Sequence, residues 1–469
     1  MKTLLVDIHP HFKFINILKS LKLIDKNSIK IQYISFESSL LNIEFQNLGN
    51  KIHYTYDKIL DINSTDAIIP EGLDENKIYK FLDIMLSDPR LISIFERSYF
   101  TKFYNTKRIR IINILFFQAI NFLKRVKPKA YILYATPHNI NTYILKWACF
   151  SLGIDVVYLQ ESILPWRFYT IFEKENNRYL LNKGKKWNVY DKLFLDLYKK
   201  RLNKNDYIAP YVLQKNQRLF TLAGEIKKYW NRPDLIINKL YIYRYYKKIT
   251  KNFKIPKSDY VFFPLNFSPE RSTLPDGGKY FNQFRAIHEI RSKIGKKIKI
   301  VVKEHPSTFK YVCHWGERNK HFYKAIYDLG NVIFAPVNFS LVKLIKNSST
   351  CISINSSVIL DSLLLEKKCF YMSDHRIFGA ESSNLHKFQN FNKNKIISLL
   401  NKPKILNNFN YNWFENYTIL PQTINKEWDN SISSFRAERS KNYNIMLLKL
   451  VKLYSKKNIK NYLKPINKI

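Results

Sequence analysis

Three short stretches place polar side chains directly behind apolar runs: "PLNFSPERST" at 264–273, "VKEHPS" at 302–307 and "SINSSV" at 353–358. Each reads as a buried strand that stops at groups able to hold charge or a proton. Lys303 and His305 offer positive charge and N–H donors suited to a phosphate. Pro306 forbids continuation of the strand and fixes the backbone beside the imidazole. Asn355, Ser356 and Ser357 stand where a helix begins, so free backbone N–H groups and serine hydroxyls meet there. Glu270 offers a carboxylate to ribose hydroxyls or a base. Taken singly, each has a plainer explanation: Ser356 or Ser357 is an ordinary N-cap, His305 a packed loop residue, and Glu270–Arg271 a surface pair of little worth. Three such ends on one edge favour a ligand site, because open α/β sheets bind at the carboxyl ends of their strands.

The elements that must position these residues are legible in the hydrophobic pattern. "DYVFFPLNF", "KIKIVVKEHP", "NVIFAP", "STCISIN" and "CFYM" read as strands. Helices alternate with them: 282–295 closed by Gly295, "ERNKHFYKAIYDLG" closed by Gly330, 340–348 capped by Ser340, and "SSVILDSLLLEKK". Such βα repetition predicts a parallel sheet covered on both faces. Near the start, "KTLLVDIHP" and "KIQYISF" flank a helical pattern as a βαβ opening. "PKAYILYATPHN", an apolar helix at 141–153 and "IDVVYLQES" form a further unit. The expected fold class is therefore α/β with two Rossmann-like doubly wound domains and helical elaborations. The expected division is 1–170, a helical basic and aromatic bridge over 171–255, a second Rossmann-like domain over 256–390, and a basic helical region over 391–469.

Composition sets outer limits. With 46% hydrophobic residues in 469 positions, there is material for more than one core and none of the signature of disorder. The net charge of +41 favours anionic partners, although a Lys-, Asn- and Ile-rich mix also arises from an AT-rich genome. No zinc-finger spacing or other nucleic-acid motif accompanies the charge, so nucleic acid is not expected as a partner. Cys149, Cys313, Cys351 and Cys369 follow no metal-ligand spacing and suit a reducing compartment. Asp7 interrupts the first apolar run before a signal peptide could form. No run reaches the roughly 18 apolar residues of a membrane span, and 109–123 reads as a buried or interfacial helix.

The strings "PLNFSPERSTLPDGGKYFNQ", "VVKEHPS", "ERNKHFYKAIYDLGNVIFAP" and "SINSSVILDSLLLEKKCFY" resemble the bacterial capsular polysaccharide biosynthesis family of glycosyltransferases, which includes transferases of Kdo and nonulosonic acids from CMP-activated donors. The likeness spans roughly 259–375, and extends less closely to 128–162. It implies a GT-B-like fold, two Rossmann-like domains across a cleft, with nucleotide held by the C-terminal one. The His-Pro pair and the serine pair also resemble those of bacterial sialyltransferases. By that likeness His305 and Pro306 contact the nucleotide, and Ser356 and Ser357 its phosphate. Asp361-Ser362 stands where the family pattern has Glu-Ala, so Asp361 is implied in a ribose contact through a shorter side chain. Asn266-Phe267-Ser268 replaces the family's His-x-Gln.

No Asp-x-Asp pair is present, so metal and cofactor are not expected. The leaving phosphate falls to Lys303, His305, the serines and the helix dipole. Activation of an acceptor hydroxyl falls to the N-terminal half, where Glu161 and His138 follow strands and His9 and His11 lie in the first loop. The expected activity is transfer of a sugar, Kdo or a nonulosonic acid, from a CMP-linked donor to a capsular or lipopolysaccharide glycan or lipid-linked precursor. The expected location is cytoplasmic, peripheral to an anionic inner membrane surface. A sugar-nucleotide epimerase of similar shape and a non-catalytic assembly partner are the alternatives.

Overall fold

The computed structural model describes residues 2–8, 29–35, 54–63, 71–98, 105–133, 135–164, 167–181, 191–192, 195–196, 199, 202, 233–268, 270–309, 318–373, 375, 377, 381–382, 384–400, 418–419 and 463–466. The chain divides into two compact units, Met1–Lys186 with Asn412–Ile469, and Trp187–Tyr411.

Unit 1 opens with β1 (Lys2–Ile8) and β2 (Ile29–Ser35), paired in parallel from Lys2↔Ile29 to Ile8↔Ser35. β3 (Tyr54–Thr55) extends that edge, followed by α1 (Tyr56–Ile59), α2 (Glu75–Leu86), α3 (Leu91–Ser98) and α4 (Asn105–Val126). Next come β4 (Ala130–Leu133), α5 (Ile140–Ser151) and β5 (Asp155–Glu161). β4 pairs in parallel with both β1 and β5, which gives the order β3-β2-β1-β4-β5. The run at 109–123 is the body of α4, and Ile112, Leu115, Phe116, Ala119 and Ile120 are fully buried in it. Among the described residues no helix is long and apolar enough to cross a membrane.

Residues just past 170 differ from the helical expectation. β6 (Phe168–Lys174) and β7 (Asn177–Leu181) form an antiparallel hairpin on β5. Glu175 and Asn176 turn it with φ of 48° and 67°, the two positive angles of a two-residue hairpin turn. "FYTIFEK" carries no apolar–polar alternation to mark it as a strand, because Phe168–Glu173 is buried throughout. Thr418–Ile419 and Leu463–Pro465, in the region expected to be helical, add antiparallel to β6 and β7. Tertiary pairing over long sequence separation decided those two short strands.

Unit 2 begins among the described helices with α6 (Pro233–Ile249). Then come β8 (Tyr260–Pro264), α7 (Gln283–Ile294), β9 (Lys299–Lys303), α8 (Lys320–Asp328), β10 (Val332–Ala335), α9 (Leu341–Asn347), β11 (Thr350–Ser353), α10 (Val358–Leu364), β12 (Cys369–Tyr371) and β13 (Leu385–Lys387). Its strands are all parallel, in the order β10-β9-β8-β11-β12-β13. That is the 3-2-1-4-5-6 order of a doubly wound sheet. One face packs Val261, Phe263, Ile300, Val302 and Phe334 against Ile287 and Ile290 of α7 and Tyr323 and Ile326 of α8. On the other face Tyr260 donates to the Leu344 carbonyl of α9 at 2.7 Å. Ser340 caps α9 by accepting from the Lys343 N–H. Gly295 closes α7 at φ 71°, a conformation that costs glycine least. Cys149, Cys351 and Cys369 are free and buried.

Candidate functional site

Winding of unit 2 reverses between β8 and β11, and the crevice beyond their carboxyl ends is where such sheets take ligands. The structure brings the three expected strand ends together there. Asn266, two residues past β8, donates from its side-chain amide to Asn355 Oδ1, past β11, at 3.0 Å. Gln283 holds Asn266 by paired bonds, accepting from its N–H at 2.8 Å and donating to its carbonyl at 3.0 Å. Arg318 donates to that same carbonyl at 3.1 Å and, from Nε, to Glu304 Oε2 at 2.8 Å. Glu304, past β9, is fully buried and gathers three further donors. They are the His305 N–H at 2.9 Å, the Thr308 hydroxyl at 3.1 Å and the Tyr323 hydroxyl at 2.8 Å. Its own N–H donates to the Tyr246 hydroxyl of α6 at 3.0 Å. Sequence reasoning missed Glu304 and Arg318. Nothing local in "KEHP" marks the glutamate as the buried member of an ion pair.

Lys303 is the last residue of β9. Val302 lies in the core on one face, so alternation turns Lys303 to the other, as it does Ser353 beside the core residue Ile352. Lys303 pairs with Pro264 of β8, and the β8–β11 register carries on to put Ser353 level with it. The Lys303 side chain is only 7% exposed, and no hydrogen bond or ion pair engages its ammonium among the described residues. Burial pushes it down to about 8, with the Glu304 carboxylate offsetting part of that. A largely buried cation that keeps its proton at neutral pH and, among the described residues, is offset only in part by a neighbouring carboxylate is suited to receive an anion.

Around it, His305 Nδ1 accepts from the Ser307 N–H at 3.2 Å, which leaves the neutral ring protonated at Nε2 as a donor. Its ring leans on Phe267 with centroids 5.7 Å apart. Pro306 opens the 3-10 turn Pro306–Phe309. The Ser356 N–H donates to Ser353 Oγ at 3.3 Å, and Ser356 Oγ accepts from the Val358 N–H at 3.1 Å. Ser356 therefore does the capping, while Ser357, which precedes α10, is exposed and its hydroxyl makes no cap bond. Asp361 lies one turn into α10, fully buried, and burial pushes it up to about 7. Glu270 is exposed and accepts from the Ser272 hydroxyl at 3.2 Å. Arg271 turns instead to the buried Asp276, at 3.6 Å, which also faces His375 at 3.5 Å.

In unit 1, Glu161 is the last residue of β5, paired with Phe168 of β6, and His138 lies past the end of the adjacent strand β4. The Glu161 side chain is buried, and His138 Nδ1 lies 2.8 Å from the Thr136 carbonyl. A Thr136–Gln160 side-chain hydrogen bond ties the two strand ends together. On the next strand sits a carboxyl that sequence reasoning used only to exclude a signal peptide. Asp7 of β1 is fully buried beside Tyr56, and burial pushes it up to about 7. A carboxyl poised near neutrality suits general acid–base chemistry. Its one sequence signal is a lone acid inside "LLVDI". His9 and His11 lie outside the described residues.

No protein-family model matches the chain, and no curated protein sequence matches it. Among solved structures it is similar to a UDP-GlcNAc 2-epimerase of Methanocaldococcus jannaschii bound to UDP-GlcNAc and UDP, at 14% identity and TM-score 0.30, covering 96% of this chain and all of that one. It is similar to MurG of Acinetobacter baumannii at 8% identity and TM-score 0.24, covering 96% and 99%. It is also similar to KpsC of Thermosulfurimonas dismutans, a β-Kdo 2,7 transferase, at 9% identity and TM-score 0.31, covering 72% and 89%. Likenesses this distant carry no argument about chemistry.

Proposed function

We propose that the chain is a metal-independent glycosyltransferase that moves a sugar from a nucleotide-activated donor to an acceptor hydroxyl. The observation that supports it most is the buried ammonium of Lys303, which no hydrogen bond or ion pair engages among the described residues, at the end of β9 next to the switch point of unit 2. There it meets the donor phosphate, with the His305 Nε2–H and the Ser357 hydroxyl as further donors. In the transfer step the acceptor oxygen bonds to the anomeric carbon as the bond from that carbon to the phosphate oxygen breaks. Lys303 and His305 stabilise the charge growing on the departing phosphate. A base of unit 1, Glu161 or His138, takes the acceptor proton. The resemblance of the His-Pro and serine motifs favours a CMP-linked donor carrying Kdo or a nonulosonic acid. The acceptor is then a capsular or lipopolysaccharide glycan or its lipid-linked precursor, reached at the anionic inner surface of the membrane. Glu270, Pro306, Asn355, Ser356 and Asp361 complete the nucleotide site in this reading.

The test is CMP release from CMP-linked ulosonic acids with and without a glycan acceptor. Release that depends on acceptor supports transfer. Conversion of a sugar nucleotide without acceptor would make the chain an epimerase, and binding without turnover an assembly partner. Activity should survive EDTA. Loss restored by Mg²⁺ would overturn the charge assignment to protein groups.

A further inference from the structure

The outward face of α6 holds a combination of side chains that the nucleotide site does not use. Its inward face is packed: Ile236, Lys239, Ile242 and Tyr246 are buried, as is Thr250 just past its end. Tyr246 donates to the Ala335 carbonyl at 2.7 Å and accepts from the Glu304 N–H at 3.0 Å, so the helix is bolted to the ends of β10 and β9. Outward, Ile237 is 67% exposed, Tyr241 49% and Tyr243 44%. Arg244, Lys247 and Lys248 are exposed among them, and Lys251, Lys254 and Lys257 continue the series past the helix. Between Leu235 and Ser258 there is no Asp or Glu; of the seven Lys and Arg, Lys239 is buried and the other six are exposed.

Exposed aliphatic and aromatic side chains beside exposed cations that have no carboxylate partner among the described residues match one environment closely. At a bilayer interface, Tyr and Ile enter the boundary between headgroups and acyl chains while Lys and Arg meet anionic headgroups. A nucleic acid would use the cations but leave Ile237 and its neighbours in water.

We infer that α6 is the element that lays this protein on an anionic bilayer. The inference rests on the membrane reading above and deepens it by naming the docking element. Through Tyr246 it also holds the phosphate-site edge of unit 2 within about one helix diameter, roughly 10 Å, of the lipid. An acceptor carried on a lipid then needs little reach.

The experiment uses the full chain and vesicles of phosphatidylcholine with or without phosphatidylglycerol. One variant combines Arg244→Gln, Lys247→Gln and Lys248→Gln. A control removes three exposed lysines elsewhere in unit 2: Lys320→Gln, Lys343→Gln and Lys346→Gln. A third variant, Ile237→Ser with Tyr241→Ser, leaves the net charge unchanged. At about a factor of five per basic residue, the α6 charge variant should lose roughly 100-fold in partition to anionic vesicles. The control should change little, and the apolar variant should lose whatever binding persists at high salt. A CMP-induced melting shift retained in every variant shows that each is folded. Equal losses in the two charge variants would overturn the assignment to α6 and leave a diffuse basic surface. No binding of the wild type to anionic vesicles would overturn the membrane reading itself without touching CMP release. Stronger binding to duplex oligonucleotide than to vesicles, unchanged by Ile237→Ser with Tyr241→Ser, would overturn both in favour of nucleic acid.

Discussion

Replacing Lys303 by Met should make the ligand-free protein more stable and its nucleotide complex weaker. Burial brings this ammonium from its ordinary 10.5 to about 8. At 1.36 kcal/mol per pH unit, holding it charged inside the fold costs roughly 3 kcal/mol. Methionine is of similar length and carries no charge, so Lys303→Met should recover up to about 3 kcal/mol near neutral pH, as when buried charges are replaced by apolar groups. The sign follows from proton binding. The unfolded chain holds this proton more tightly than the folded one, so the wild type gains stability as pH rises from about 8 to 10.5. The advantage of the variant is therefore full below about 8 and fades across that window. A hydrogen bond from a charged donor is worth about 1.5–3 kcal/mol, so CMP affinity should fall by about 10- to 150-fold. Urea unfolding at ~pH 7 and ~pH 10 reads the first effect, and a thermal-shift titration with CMP reads the second. A variant less stable than the wild type at neutral pH, or one that binds CMP as tightly, would refute the view of Lys303 as an anion site waiting for its anion.

The neighbouring Glu304 should behave in the opposite way. Glu304→Ala leaves Arg318 buried without its partner and should cost about 3–5 kcal/mol in urea unfolding, whereas Glu304→Leu with Arg318→Met should cost clearly less than the sum of the two single changes. Additive losses would argue that the pair is not coupled. Asp7, pushed up to about 7 by burial, keeps its proton in the fold more tightly than in the unfolded chain. Wild-type stability should accordingly fall as pH rises from 3.8 towards 7, and Asp7→Asn should flatten that dependence in unfolding curves taken across the range. Of Glu161→Gln and His138→Ala, one should lower turnover by about 10²–10⁴-fold with CMP binding intact. Ser356→Ala with Ser357→Ala should weaken CMP binding instead, and the reverse pattern would exchange the roles given to the two units.

The hydrophobic pattern by itself determined the α/β class and the rhythm of unit 2. Strands such as "KIKIVV" and "STCISI" carry period-2 apolar runs, and Gly295 and Gly330 punctuate the helices, all within a few residues of one another. It also determined which strand ends carry polar groups, because a buried strand must stop where charge begins. Strand order was settled only in the tertiary structure. Nothing local says that β8 lies between β9 and β11, yet that order puts Asn266 against Asn355 and makes their crevice the switch point. Burial was settled there too: Glu304 and Lys303 are consecutive charged residues in "VKEHP". Alternation sends Lys303 to the α9–α10 face, where no described residue hydrogen-bonds or ion-pairs with it, while the chain's turn after β9 leaves Glu304 among donors from Arg318, Thr308 and Tyr323. The hairpin of β6 and β7 and the short strands at 418–419 and 463–465 depended likewise on partners far away in sequence. Periodicity is a property of neighbours along the chain, whereas an ion pair, a sheet edge or a ligand crevice is made by residues that only folding brings together.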